Sequence, residues 1–385
     1  NTMIFKEVGN YQIHRLRVIH IYEADFNLLL SIKWRQLLQS SDQRQLINQG
    51  LYGGRPGCEA QSLTFLEELK YDVSHVTRRT LFNFDSDATS CYDRIIVALV
   101  SLINRKYGLH RNVVLVHATT LQEAKFHLRT KLGYSESSYS HQVEFPIFGS
   151  GQGSGNSPSI WLFISSTLCD IHQQISHGAK FVSPDGEEEV KITMVGFVDD
   201  CTGTCNDFQP QTQADTSTIA SRMQHDAQTW NDLLWCSVGK LELPKCSFHT
   251  LHFTFLPNGT SKTALVSNSS QIQITDAATG EVIQIPSKRA NDPHKTLGHW
   301  KAPADHLQKQ QLAALTTKAN SITTLICISQ LSRFGSTLAY HGTYIPSMKY
   351  VLPQCFFEEK ALDKAERQSL PPLIAKCGYN NNSLI

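Results

Sequence analysis

The stretch Thr193–Cys201 constrains this chain more than any other. Thr193, Met194, Val195, Gly196, Phe197 and Val198 form an apolar, β-prone run that ends on two adjacent carboxylates, Asp199 and Asp200. Cys201 and Thr202-Gly203-Thr204 follow. The pattern predicts a strand, a tight turn carrying Asp199-Asp200, and a returning strand. Two like charges on one turn repel, and each makes the other harder to ionise. A divalent cation between them relieves that repulsion, and hard oxygen donors on a short turn suit Mg²⁺ or Mn²⁺. The competing reading of the pair by itself is a solvated acidic hairpin tip. A third carboxylate and a substrate-handling segment elsewhere in the chain would decide between the two.

Composition narrows the class without choosing the function. At 385 residues and 41% hydrophobic content, the chain can bury a sizeable core and form two or three domains or subdomains. Lys and Arg total 35 against 34 for Asp and Glu, so a nucleic-acid partner is neither demanded nor excluded. The 10 cysteines are scattered without a CxxC pair, which suits free thiols in a reducing compartment. No signal peptide and no membrane-length apolar run are present, so an intracellular location is expected, with nucleus and cytoplasm left open. A start at Asn1 suggests a segment of a longer polypeptide.

Read in order, Leu16, Val18, Ile19 and Ile21 alternate like a strand that also carries Arg17, and helical spacing follows through Phe26, Leu30, Trp34 and Leu38. Tyr52-Gly53-Gly54-Arg55-Pro56-Gly57 reads as a turn that brings backbone close to something else. Glu59–Tyr71 reads as a helix with Ala60, Leu63, Leu66, Glu67 and Leu69 in register. Leu81–Asp87 alternates as a strand, and Thr89–Asp93 after it reads as a turn leading into a helix through Ile95, Ile96, Ala98, Leu99 and Leu102, whose start offers N–H groups to an anion. Gly149–Gly155 is a glycine-rich loop holding Gln152, with Pro158 at the start of an apolar helix. It fits neither the dinucleotide-binding nor the P-loop pattern. Gln209–Thr216 is a polar loop, Ile219–Leu234 a helix, and residues 251–290 suggest hairpins in a peripheral insertion. Helical spacing dominates after about residue 303, with a last helix near 357–368 and a polar tail at Asn380–Asn382.

These pieces, in this order, resemble the reverse transcriptase family, most closely the polymerases of retroelements without long terminal repeats. Asp87-Ala88-Thr89-Ser90-Cys91-Tyr92-Asp93 is similar to the family's first catalytic motif, Asp followed by an aromatic and a second Asp. Gly151-Gln152-Gly153 with Ser157-Pro158 is similar to its Gln-Gly and Ser-Pro motif, and Phe197-Val198-Asp199-Asp200 to its aromatic-x-Asp-Asp box. Arg17-Val18-Ile19 resembles an Arg-Pro-Ile fingers motif with Val in place of Pro. Tyr52–Gly57 resembles Phe-Gly-Phe-Arg-Pro-Gly with Gly54 in place of an aromatic. Leu243-Pro244-Lys245-Cys246 resembles the family's Pro-Lys-Cys turn, and Tyr344–Tyr350 a thumb segment. The resemblance spans roughly residues 14–350.

The resemblance implies an α+β right-hand polymerase whose antiparallel palm sheet is backed by helices. Residues 1–80 would begin the fingers. Residues 81–300 would form the palm with interleaved fingers segments and the hairpin-rich insertion, and residues 301–385 a helical thumb. It implies RNA-templated DNA synthesis by two-metal nucleotidyl transfer, with an RNA template, a DNA primer, deoxynucleoside triphosphates and no membrane as its setting, inside a larger polyprotein. Asp87 and Asp199 would hold two Mg²⁺ or Mn²⁺ ions, with Asp200 a weaker ligand. Tyr92 would act as a steric gate against a 2′-hydroxyl, and Gln152, Arg17 and Arg55 would contact nucleotide or template. Lys245 would neutralise the pyrophosphate. Asp85 competes with Asp87, and the spacing to Tyr92-Asp93 selects Asp87; Asp93 is expected to be a structural charge beside Arg94. The alternatives are an inactive retroelement remnant that binds nucleic acid and an RNA-dependent RNA polymerase.

Overall fold

The computed structural model describes residues 2–5, 12, 16–89, 91–130, 133–144, 148–207, 216–264, 271–301, 303–304 and 308–379. The polar tail at Asn380–Asn382 and all of the Gln209–Thr216 loop before Thr216 lie outside these residues. The chain divides into two compact units. One comprises Asn1–Glu59, Phe82–Phe248 and Asn268–Ser287, the other Ala60–Leu81, His249–Ser267 and Lys288–Ile385. Both mix helices with antiparallel strands.

In chain order the elements begin with β1 (Thr2–Phe5), β2 (Leu16–Ile19), α1 (Ala24–Gln43), α2 (Ala60–Thr77) and β3 (Leu81–Asp87). Next come α3 (Val97–Lys106), α4 (Arg111–Glu123), β4 (Lys125–Thr130), β5 (Gly133–Ser140) and α5 (Ser157–Ile175). The middle of the chain supplies β6 (Ala179–Val182), β7 (Glu189–Ile192), β8 (Met194–Phe197), β9 (Asp200–Asn206) and α6 (Thr216–Cys236). Then follow β10 (Ser247–Phe255), β11 (Ser261–Ala264), β12 (Ile272–Thr275), β13 (Val282–Ile285), β14 (Ser287–Lys288), β15 (His294–Thr296) and β16 (His299–Lys301). Helices close the described chain: α7 (Lys309–Ile328), α8 (Arg333–Ala339), α9 (Ile345–Lys349) and α10 (Glu359–Cys377).

In the first unit, β2, β1, β4 and β5 lie in that order in one sheet, while β3, β9 and β8 are successive neighbours in another. Helix α5 is apolar on almost every side, the pattern of a helix enclosed by its neighbours. Ile160, Trp161, Leu162, Phe163, Ile164 and Leu168 are all buried in the core, together with Phe82 and Phe84 of β3 and Trp230 of α6. Each such side chain contributes about 1.5–3 kcal/mol relative to exposure. This core is the platform on which the ends of β3 and β8 rest.

The hairpin β12–β13 is not peripheral. Ile272, Ile274 and Ile285 are buried in the same core, and Gln224, Gln228 and Asn231 of α6 bond the backbone of β12. Polar Gln273, Thr275 and Gln284 mark only the outward face, since strand residues alternate.

In the second unit, Ala319 and Ile326 of α7 pack with Tyr344, Leu370 and Leu373. The last helix runs well past residue 368, through Pro371 and Pro372, and stops at Gly378 with φ of 91°. Packing of Leu370 and Leu373 outweighs the helix bonds that the two prolines forgo.

Helix α2 differs more sharply from its expected pattern. Its buried face is Leu63, Thr64, Glu67, Lys70, Tyr71, Ser74 and His75, whereas Phe65, Leu69 and Val76 are exposed. The inward polar groups have partners in their own unit. Glu67 pairs with Lys301, Glu68 lies 3.2 Å from His299 Nε2, and Tyr71 Oη lies 2.8 Å from His249 Nε2.

Candidate active site

Strand β3 ends at Asp87, and the β8–β9 hairpin turns at Val198-Asp199. Phe197 pairs with Asp200, so the connection is a two-residue hairpin loop and Asp200 is already the first residue of β9. Val198 sits at φ of 62°, an unusual conformation for a β-branched side chain. Tight hairpins require positive φ at the first loop position, and Gly normally supplies it. Here the strained tip is held from outside. Trp161 Nε1 donates to the Val198 carbonyl at 2.7 Å.

The Gly-Gly-Arg-Pro turn provides the second support. Gly196 N–H donates to Gly50 O and Tyr52 N–H donates to Gly196 O, each at 2.9 Å. A Cβ at Gly53 would lie 2.4 Å from Val198 N. The turn therefore does bring backbone close to something, and that something is the Asp199 hairpin. Arg55 has a structural partner of its own. Its Nε donates to Asp42 Oδ1 at 2.5 Å and its second amino group to Gln49 Oε1 at 2.8 Å. It is not among the residues lining the cavity described next.

That cavity, about 640 Å³ in volume, lies within the first unit. Arg17, Asp87, Tyr92, Gln152, Asp199 and Lys245 all line it. These residues come from β2, the end of β3, the loop after it, the glycine-rich loop, the β8–β9 turn and the short 3₁₀ turn Leu243–Lys245. Six of the eight residues singled out in the sequence thus share one space. Asp200 stands beside it, close enough for Asp199 and Asp87 to affect its ionisation.

The charges are strongly coupled. Burial and the neighbouring Asp199, Asp87 and Asp85 carboxylates push Asp200 up to about 6. Asp199 is also raised, chiefly by burial and then by Asp87, while Arg17 and Lys245 pull it back. Lys245 Nζ lies 3.0 Å from Asp87 Oδ2, and that bond holds the ammonium above its ordinary range. Three carboxylates thus face two cations. This donor set is all oxygen and remains short of positive charge, so it fits hard divalent cations.

Tyr92 packs against the core and also forms part of the cavity wall. Burial raises its phenol well above the ordinary value, which keeps it neutral. Its carbonyl accepts the Ser150 N–H at 3.1 Å. A Cβ at Gly149 would lie 2.6 Å from that carbonyl, so the glycine permits the loop to lie against the Tyr92 turn. The other side of the loop is tied to the strand bearing Arg17. His20 N–H donates to Gln152 O at 2.6 Å, and Ile19 bridges Gln152.

Local sequence did not disclose two residues of this site. Asp93 accepts from Gln152 Nε2 at 3.3 Å and so orients the amide, while Arg94 Nε donates to Val238 O at 3.0 Å. Glu242 lines the cavity and accepts from Thr89 Oγ1 at 2.8 Å, while its N–H donates to Asp87 O. The turn chemistry of Leu241–Lys245 was visible, but a lone Glu there carries no distinguishing signal. The helix expected from Ile95 starts slightly later. Helix α3 begins only at Val97, and residues 91–94 form a turn.

No protein-family model matches the chain, and no curated protein matches it. Solved telomerase structures are similar to it. The telomerase of Candida albicans, in complex with a TWJ fragment of telomeric RNA, shares 10% identity at a TM-score of 0.34, over 92% of this chain and 52% of that one. The corresponding complex from Candida tropicalis shares 13% at a TM-score of 0.41, over 92% and 53%. The apo Candida tropicalis enzyme shares 12% at 0.40, over 92% and 54%. The chain spans about half the length of these telomerase chains, and the likeness assigns it no activity.

Proposed function

We propose that the chain is an RNA-templated DNA polymerase of the reverse transcriptase type, the synthetic part of a retroelement polyprotein. The observation that carries this reading is the meeting of Asp87, Asp199, Arg17, Tyr92, Gln152 and Lys245 around one cavity. They come from segments as far apart as β2 and the turn before β10. In this reading the sheet containing β3, β8 and β9 belongs to the palm, the β1–β2–β4–β5 sheet to the fingers, and α7–α10 to the thumb.

Asp87 and Asp199 would hold two Mg²⁺ or Mn²⁺ ions, with Asp200 the weaker ligand. When bound, the ions supply stabilisation of both the attacking and the leaving oxygen in an in-line displacement. The chain's own groups do the rest. Arg17 and the loop after Asp87 bind the triphosphate, Arg17 as a planar donor of charge-assisted bonds. Lys245 exchanges its bond to Asp87 for the departing pyrophosphate. Gln152, oriented by Asp93, contacts the incoming nucleotide or its template base. Tyr92, neutral and braced by the glycine-rich loop, occupies the space a 2′-hydroxyl would need.

Purified protein with Mg²⁺, an RNA template, an annealed DNA primer and deoxynucleotides should extend the primer. Asp199→Asn should reduce extension by on the order of 10²–10³-fold or more, the scale of losing one electrostatic stabiliser. A wild-type protein that binds the duplex and never extends it would sink the proposal. Tyr92→Ala should raise ribonucleotide incorporation by at least about tenfold, measured with matched ribo- and deoxynucleotides. Unchanged sugar selectivity would remove the gate role.

A further inference from the structure

A second cluster of ligating side chains lies in the first unit, outside the cavity. His177 follows the C-cap of α5, and His225 and Asp226 are neighbours on α6. One ligand atom from each of the three lies within 4.8 Å of the other two. Asp226 is the fixed member. It is 3% exposed, and its carboxylate accepts the backbone N–H groups of His177 and Gly178, each at 2.8 Å. The same oxygen that takes the His177 N–H lies 3.0 Å from His177 Nδ1.

We propose that His177, His225 and Asp226 form a binding site for a borderline transition-metal ion such as Zn²⁺, Co²⁺ or Ni²⁺. Two imidazoles and one carboxylate are the donors such ions prefer, whereas Mg²⁺ favours the all-oxygen set at Asp87–Asp199–Asp200. The geometry suits a single ion. Ligand atoms about 2.0–2.1 Å from a metal lie roughly 2.9 Å apart at a right angle and about 3.3 Å apart in a tetrahedron. The 3.0 Å between Asp226 Oδ1 and His177 Nδ1 falls in that interval. The His225 ring stands at 81° to the His177 ring with centroids 5.1 Å apart, which lets a third donor approach from a different direction. Both histidines are exposed, so an ion and its waters can reach them.

The site has a pre-built frame. Of the carboxylate's roughly four lone-pair positions, two are taken by the backbone N–H groups, which lock Asp226 in place. A third is taken by His177 Nδ1–H. Metal binding takes that proton off Nδ1; a neutral ring regains one at Nε2 by exchange with solvent, and two coordinate bonds replace the hydrogen bond. The nearby Lys191 ammonium is occupied by the Gln173 and Ser176 carbonyls, at 3.0 and 2.8 Å. A bound ion would join the α5–β6 turn to α6, which are distant in sequence.

Co²⁺ is the probe, titrated into the full chain with excess Mg²⁺ present to fill the oxygen site. The expected result is saturable uptake with visible d–d absorption, competed by Zn²⁺. His225→Ala should weaken it by more than the roughly 10–100-fold that even an outer-shell partner is worth. This variant keeps every hydrogen bond to the Asp226 carboxylate, so its far-UV circular dichroism and thermal midpoint without metal should match wild type. His177→Ala should weaken Co²⁺ uptake similarly, and Asp199→Asn should leave it unchanged. Failure to bind Co²⁺ overturns the proposal. So does uptake that survives both histidine variants, or uptake with a thiolate charge-transfer band that Cys236→Ser abolishes.

Discussion

The Asp87–Asp199–Asp200 cluster of the first unit and the Glu67–Lys301 pair of the second both take charge out of water, in opposite ways. The first groups like charges at the rim of an open cavity, where Asp200 is pushed up to about 6. The second joins opposite charges in full burial, with Glu67 1% and Lys301 1% exposed. A buried pair brings its own counter-charge, and each partner offsets part of the other's desolvation cost. A set of like charges is incomplete, and its cost falls only when something positive arrives from solvent. Burial lowers the Lys301 ammonium to about 7, which shows how strongly desolvation acts there and how much the Glu67 contact must offset. The open cluster bears a smaller penalty because water still reaches it. The comparison separates charge paired within the fold from charge left open to solvent.

The largest effect is expected from making the closed pair incomplete. Lys301→Met strands a buried carboxylate and should cost about 3–5 kcal/mol in denaturant unfolding. Adding Glu67→Leu should recover most of that loss. If the single and double variants are equally unstable, the pair is not mutually compensating and the contrast fails. Next in size is the hairpin that forces the like charges together. Gly53→Ala would set a Cβ against Val198 N. Overpacking of this kind should cost about 1–3 kcal/mol and reduce primer extension more than it reduces stability. Wild-type extension by Gly53→Ala would show that the turn is not what positions Asp199.

The smallest effect should have the opposite sign. The folded pKa of Asp200, about 6, lies above its ordinary 3.8, so ionising it costs folding energy. That cost is absent below both values, grows as pH rises between them, and is complete above about 6. Two units are nominally about 3 kcal/mol, and partial exposure reduces this to roughly 1–2 kcal/mol. Without metal at pH 7.5, Asp200→Asn should therefore be more stable than wild type, with no difference near pH 3.5. Mg²⁺ should raise the wild-type thermal midpoint more than that of the variant. A destabilised Asp200→Asn at neutral pH would mean that the carboxylate is held by bonds and not opposed by charge.

The parts of this molecule that could be read from sequence share a short range. The Asp199 turn follows from an apolar run meeting two carboxylates, and the β8–β9 register obeys it. Gly149–Gly155 declared itself through glycine, whose use is close backbone approach. Arg55 was misleading because any carboxylate can claim an Arg, and Asp42, 13 residues away, reaches it. Asp93 reads from sequence as a structural charge beside Arg94, because sequence neighbours are visible and its bond to Gln152, 59 residues away, is not. Helix α2 was misjudged at Leu69 because periodicity assumes an apolar interior, whereas its buried stripe holds Glu67, Lys70 and His75.

Sequence by itself determined the hairpin that carries Asp199 and Asp200, the strand ending at Asp87, the glycine loop around Gln152 and the residue types available for chemistry. These depend on backbone propensity and on spacing, which act over a few residues. Only the tertiary structure decided that Asp87, Asp199, Lys245 and Arg17 face one cavity while Arg55 does not. It also decided that Gly53 braces the hairpin and that His177 meets His225 and Asp226. Those outcomes depend on which distant segment arrives beside each group, and Coulomb energy and packing are set by distance in space rather than along the chain.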